Sequence, residues 1–217
     1  MMMNLFNIFD PSTTIMNLNM NWMSTSMIII LMPNIIWIMP NRINSTMNLI
    51  FKMLNKEMML LYQSKNIKSP SFMFMTLFMF ILLNNFFSLF PYIFSSSSHM
   101  IFSMSLAMPF WLFFIIMSTY KNTKNMIAHL IPLNTPIYLA PLMTIIETMS
   151  ILIRPMSLSI RLTANLIAGH LLMTLLNYNS MMFIIIMIQM IMMMFELCVA
   201  LIQSYVFSIL TSLYSSE

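Results

Sequence analysis

Glycine occurs once in this chain, as Gly169, and cysteine once, as Cys198. A lone cysteine excludes an internal disulfide, and no Cys/His spacing suits a metal, so neither a metal nor a cofactor is expected. Charge is equally scarce: charged residues fill 6% of the 217 positions, against about 25% in a soluble domain. That is too little polar surface to cover a water-soluble body. The opening stretch MMMNLFNIFDPSTT holds neither Lys nor Arg, which argues against the charged start of a secretory signal and against an Arg-rich transit peptide. The histidines are three and scattered, which excludes a haem held by paired histidines across facing helices. No internal repeat points to a secondary transporter, no nucleophile–base pair to an intramembrane enzyme, and nothing to a nucleic-acid partner.

What fills the chain is apolar, at 60% of residues, with 32 methionines. Scarce Gly and abundant Met, Ile, Asn and Phe suit an AT-rich genome and a code in which ATA reads as Met, as in animal mitochondria. Apolar stretches of about 20 residues cross a bilayer, and the lipid bilayer is the expected surroundings. The sequence predicts an all-α polytopic membrane protein, one membrane domain over residues 1–217, with spans at about 22–40, 71–94, 100–119, 137–177 and 180–216. Trp22, Trp37 and Pro40 bound the first, and Pro33 suggests a kink in it. Between the first two spans, residues 43–62 read as an amphipathic surface helix. Leu49, Ile50, Met53, Leu54 and Met58 recur at helical spacing, with Lys52, Asn55 and Lys56 opposite.

The basic residues fix an expected orientation. Arg42, Lys52, Lys56, Lys65 and Lys68 follow the first span, none lies in the short SSSSH turn after the second, and Lys121 and Lys124 follow the third. Loops rich in Lys and Arg stay on the side of synthesis, so the N-terminus is expected outside and the loops 41–70 and 119–136 inside. The last two segments would each be roughly 55–60 Å long as straight helices, against a bilayer core of about 30 Å. Ordinary tilts reach about 40°. A long, steeply inclined hairpin turning at NYNS is expected, with the C-terminus inside; a break at Pro155 is the alternative for the first of the pair.

Charges inside these segments carry the functional signal. Each costs about 2.5–3.5 kcal/mol at a helix centre, so such residues face a partner or a wet cavity. Glu147, Arg154 and Arg161 are seven residues apart, and Asn165 follows four later. Gln189, Glu196, Gln203 and Glu217 are separated by multiples of seven. Seven residues return a helix to nearly the same face, drifting about 20°, so each hairpin helix carries a polar stripe. Facing stripes or a shared cavity would make a hydrated path. Glu147 and Glu217 fall toward the inner side, and His170 and Glu196 toward the turn on the outer side. Arg161 lies between. Its guanidinium stays protonated, so it divides two sets of proton-exchanging groups, and it would force an approaching carboxylic acid to release its proton. For Arg154 a structural salt bridge with Glu147 stands as the alternative. His99 and His129, at span ends or loops, read as interfacial or capping residues. Gly169 marks a close approach to that face of the helix.

The stretches NLFNIFDPST, LLNNFFSLFPYIF, AHLIPLNTP, IIETMSILIRPMSLSIRLTANLIAGHLL and FELCVALIQSYVFSILTSLYSSE resemble subunit a of the rotary F-type ATP synthase in its animal mitochondrial form. Ser88 and Met156 stand where that family often has glycine. The resemblance implies a proton-conducting stator subunit of the membrane sector, multi-pass in the mitochondrial inner membrane, with its N-terminus toward the intermembrane space and its C-terminus toward the matrix. It implies a c-ring partner whose carboxylates Arg161 faces, together with other membrane-sector and peripheral-stalk subunits. Asn165, His170, Glu196 and Gln203 then belong to the outer half-channel, and Glu147 and Glu217 to the matrix half-channel. ATP chemistry resides on other subunits. Structural support is the candidate role for Gly169 and for Arg154, with a place in a channel the alternative for Arg154. A proton-translocating subunit of a respiratory-chain complex is the alternative.

Overall fold

The computed structural model describes residues 5–13, 18–31, 41–61, 69–90, 92–121, 123–131, 136–178 and 183–216. Seven α-helices run through them: α1 Met23–Leu31, α2 Arg42–Leu61, α3 Ser69–Ser88, α4 Met100–Lys121, α5 Thr123–His129, α6 Ala140–Tyr178 and α7 Phe183–Ser216. Short 3-10 turns occupy Leu5–Phe9, Met20–Trp22, Ser96–Ser98 and Ile137–Leu139. Among the described residues there is no strand, and stretches of α4, α6 and α7 are long and apolar enough to cross a membrane. Phe72–Ser88 in α3 is a shorter apolar helix. The chain is an all-α polytopic membrane protein.

Boundaries differ from the sequence reading where local chemistry intervenes. The second span stops as a helix at Ser88, and the chain turns through Tyr92, which takes a left-handed φ of 70°. Glycine ordinarily fills that conformation at least strain, and composition has removed it here. The stretch expected as a plain loop, 119–136, contains the short helix α5. The remainder of the first span, with Pro33, Trp37 and Pro40, lies outside the described residues, as do Lys65, Lys68, the second half of the NYNS turn and Glu217. His129 ends α5, and its side chain too falls outside what is described.

Pro155 does not break α6, which runs unbroken for 39 residues, and α7 for 34. Both exceed a bilayer core of about 30 Å at 1.5 Å per residue. Pro109 is likewise carried inside α4. Proline inside a membrane helix is tolerated because neighbours and local adjustments satisfy the freed backbone.

In lipid the hydrophobic effect does not draw helices together; close packing and internal hydrogen bonds do. The core reflects that. Leu77, Ile81, Ala107, Leu158, Leu162, Leu166 and Phe207 form its apolar part, where α3, α4, α6 and α7 meet. Around them lie buried small residues, among them Ser103, Ser159, Ser204, Ser208 and Ser212, which let backbones approach. Their hydroxyls donate to carbonyls of their own helix, as Ser208 does to Tyr205 at 2.9 Å and Ser204 to Leu201 at 2.8 Å. That local bond satisfies the polar atom without water. The large exposed side chains, such as Ile116, Ile153, Ile191 and Met194, suit lipid or a partner helix.

The amphipathic face of α2 splits in two. Met58 is buried and Leu54 half-buried against the bundle, whereas Leu49, Ile50 and Met53 stay exposed beside it. An exposed apolar edge with exposed Lys52 and Lys56 fits a helix lying at a membrane surface. Glu57 accepts a hydrogen bond from the Tyr205 hydroxyl at 3.0 Å and ties α2 to α7.

Candidate proton path

The polar stripe of α7 turns inward. Glu196 is 9% exposed and Gln203 6% exposed, while Gln189, nearer the turn, is half-buried. Across the hairpin, Asn165 of α6 donates from Nδ2 to Oε1 of Gln203 at 3.1 Å. One turn further along α6, Gly169 faces Glu196 so closely that a β-carbon there would lie 2.8 Å from the carboxyl carbon Cδ and 3.0 Å from Oε1. These two contacts set the antiparallel register of the helices. They also explain the single glycine: it leaves the space the Glu196 carboxyl occupies. Real β-carbons do not approach that near, so any larger residue at 169 must push the carboxyl aside.

A cavity of about 210 Å³ opens between α3, α6 and α7, lined by Asn165, Gly169, Glu196 and Gln203 together with Asn85 from α3. At roughly 30 Å³ per water, it has room for several. Two polar atoms of lining residues, Oε1 of Glu196 and Oδ1 of Asn85, are buried without a hydrogen-bond partner among the described residues. A buried polar atom left unmatched costs about 1–3 kcal/mol.

Asn85 is the residue the sequence reading passed over. It lies in a span with Asn84 beside it, yet the two behave differently. Asn84 donates to the Phe80 carbonyl at 2.9 Å and accepts from Ser96 at 3.5 Å, so it is satisfied locally. Asn85 reaches the cavity. The available signal was the register: Asn85 is one position off the satisfied residue and hence on another face of α3.

His170 is not among the residues that line this cavity. It follows Gly169 by one residue, about 100° around the helix at 3.6 residues per turn. Its ring lies instead against the Ser88 backbone carbonyl at the end of α3 and edge-on to Phe9, with centroids 6.1 Å apart. Its Nε2 is buried and unpartnered. His99 packs its ring between Trp22 and Phe94, at 5.3 and 5.2 Å, and its carbonyl accepts the first backbone bond of α4 from Phe102.

Arg161 lies on the exposed surface of α6, and its guanidinium has no hydrogen bond or ion pair among the described residues. The α6 stripe therefore does not face α7 along its whole length. From Arg161 to Asn165 and on to Gly169 the helix turns about 40° each time. The cation consequently points outward while the residues nearer the turn meet α7. Glu147 and Arg154, farther from the turn, are half-buried. Among the described residues no cluster of His, Cys, Asp and Glu suits a metal.

Comparison with known proteins matches this arrangement to one family. The family model described as "ATP synthase A chain" matches residues 13–216. The chain is 79% identical over 214 residues to the ATP synthase F(0) complex subunit a of Rhopalosiphum padi, covering 99% of each chain. It is 48% identical over 223 residues to the ATP synthase subunit a of Drosophila melanogaster, and 47% identical over 224 residues to that of Aedes aegypti. In both cases the match covers 100% of this chain and 99% of the relative. The chain belongs to the ATP synthase A chain family.

Proposed function

We propose that two separate proton paths meet at Arg161 and exchange protons there with carboxylates on a ring of small membrane subunits. Family membership makes the chain the proton-translocating subunit of the ATP synthase membrane sector and sets aside the respiratory-complex alternative. The observation that carries the mechanism is the contrast between Arg161, exposed and unpaired among the described residues, and an enclosed acid at Glu196. A cation bare on a membrane helix needs a partner, and the partner is a ring carboxylate supplied in trans.

In this mechanism a proton enters from the intermembrane space on the side of the hairpin turn. Water in the cavity carries it past Glu196, which can accept and release it, while Asn85, Asn165 and Gln203 hold that water by hydrogen bonds. His170 serves the same path from beside the cavity. The proton passes to a ring carboxylate lying on the open face of α6. The neutral carboxylic acid enters lipid, rides with the ring for most of a turn, and returns to Arg161 from the other side. There the guanidinium favours the ionised form, and the proton leaves toward the matrix by way of Glu147 and Glu217. Arg161 itself never carries a proton, because its guanidinium does not release one. Each proton delivers about 2.3 kcal/mol per 100 mV, which rotation transmits to other subunits where ATP is made. The chain has no catalytic site of its own in this scheme.

The insect relatives and the methionine-rich composition support the mitochondrial inner membrane as its location. The lysine pattern supports an N-terminus in the intermembrane space and a C-terminus in the matrix. Peripheral-stalk and small membrane-sector subunits complete the partners.

The test is a crosslink. With Cys198 replaced by serine, a cysteine at Ile160 or Ala164, both exposed beside Arg161, should join to a small ring subunit in the isolated membrane complex. Failure of both positions to crosslink, in a complex that contains the ring, would sink this reading.

A further inference from the structure

The stretch NLFNIFDPST at the start of the chain has no part in the mechanism above. Its structure is nevertheless built and aimed. The 3-10 turn Leu5–Phe9 leaves Phe6 and Ile8 exposed and turns Phe9 inward, half-buried, onto His170. Side-chain and backbone hydrogen bonds pin this turn to the residues just before α1. Asn21 donates from Nδ2 to the Asp10 carbonyl at 3.2 Å, and Thr13 donates from both its backbone N–H and its hydroxyl to the Leu18 carbonyl, at 3.1 and 2.6 Å. Asp10 is exposed, and its carboxylate accepts the Ser12 N–H at 3.0 Å.

We propose that this N-terminal segment is a cap on the entry side of the proton path: Phe9 screens the free Nε2 of His170 from bulk water, and Asp10 holds a fixed negative charge at the rim. The inference rests on the reading of His170 as an entry-side group. Phe9 is a positioning residue. Its ring packs at nearly a right angle against the imidazole, and in this proposal protons reach Nε2 along the protein's own polar route and not by open exchange. The titratable neighbours are Glu196 of α7, which lies on Gly169 next to His170, Asp10 on the cap itself, and His99, held between Trp22 and Phe94. Hydrogen bonds from Ser12 hold the Asp10 carboxyl below the usual carboxylate range. It therefore stays ionised as the surrounding solution acidifies, and a fixed anion raises the local concentration of protons.

Two readouts test this in the complete ATP synthase, in sealed vesicles energised across the membrane. The first is the rate at which a water-soluble imidazole reagent labels His170. Phe9→Ala should speed labelling several-fold, while Phe9→Leu, which still covers the ring, should label as slowly as the unaltered chain. Equal labelling of all three overturns the cap. The second is the apparent KM for protons on the entry side at fixed potential. Asp10→Asn should raise it about two- to three-fold at low salt, the order of one exposed unit charge acting through water, with the maximal rate unchanged. The difference should fade near 1 M salt, where screening acts within about 3 Å. An unchanged KM, or a lowered maximal rate without a KM change, overturns the role of the charge. Asp10 is exposed, so this arm stands even if Phe9→Ala prevents assembly. Arg161→Ala serves as the control that separates the two ideas. If it retains ATP synthesis, the two-path reading fails; if it abolishes synthesis while both cap readouts stay flat, only the cap fails.

Discussion

The two ends of the α6–α7 hairpin solve the problem of polar groups in a membrane in opposite ways. Toward the turn the polar residues touch one another: Asn165 bonds the buried Gln203, Gly169 makes room for the buried Glu196, and a cavity joins them to Asn85. Farther from the turn the charge faces outward, with Arg161 exposed and unpaired among the described residues. Under the proposed function the difference separates two jobs. Groups that exchange protons need enclosed water and fixed neighbours. A charge that must never exchange needs access to a partner from outside the chain.

That comparison can be broken at several points. Arg161→Ala should have the largest effect, with proton-driven ATP synthesis in membrane vesicles falling to background. Arg161→Lys should fail as well, because an ammonium in a low-dielectric setting can lose its proton; substantial synthesis in the lysine variant would show that charge alone suffices. Next, Glu196→Gln should slow proton uptake from the turn side by ~10-fold or more, the scale of a lost acid–base group. Uptake unchanged in that variant would move the entry path elsewhere. Gly169→Ala should follow, at a packing cost of about 1–3 kcal/mol and with reduced uptake, because its β-carbon would meet the Glu196 carboxyl. Combining it with Glu196→Asp, one methylene shorter, should recover part of the rate; no recovery would argue that the two positions act independently. The smallest effect belongs to the Asn165–Gln203 bond. A double-alanine cycle measured by thermal unfolding should give a coupling of about 0.6–1.7 kcal/mol, the range for polar pairs between membrane helices.

Much of this was legible in the sequence because lipid imposes simple rules. A span must be long and apolar, so α4, α6 and α7 stand out. A charge inside such a run is costly, so Arg161, Glu196 and Glu147 announce themselves. Heptad spacing placed Glu196 and Gln203 on one face of α7, and they share it. The same spacing was a poorer guide on α6. A stripe that turns about 40° every four residues does not stay against one neighbour, so Arg161 emerges while Asn165 meets α7. Distance along the hairpin puts His170 and Glu196 both toward the turn, but it says nothing of direction around the helix, so the sequence does not tell which of them lines the cavity. Asn85 was visible as a polar residue in a span, yet its role depended on a third helix. The short helix α5 was missed because seven mixed residues carry no periodic signal.

Composition and pattern by themselves determined that the chain lives in a membrane, that it is helical, that its last two helices outrun the bilayer, and which few charges had to matter. These follow from solvation, which acts on each residue type alike wherever it sits. Only the tertiary structure decided which of those groups touch. The rotation of α6 relative to α7 left Arg161 exposed without a partner among the described residues and brought Asn165, itself exposed, within hydrogen-bond reach of Gln203. The absence of a side chain at Gly169 made the seat for Glu196. The packing of α3 against both helices brought Asn85 to the cavity, and the fold of the N-terminal turn laid Phe9 on His170. Contacts between distant segments depend on helix rotation and on steric fit at single atoms, and these exist only once the helices are packed.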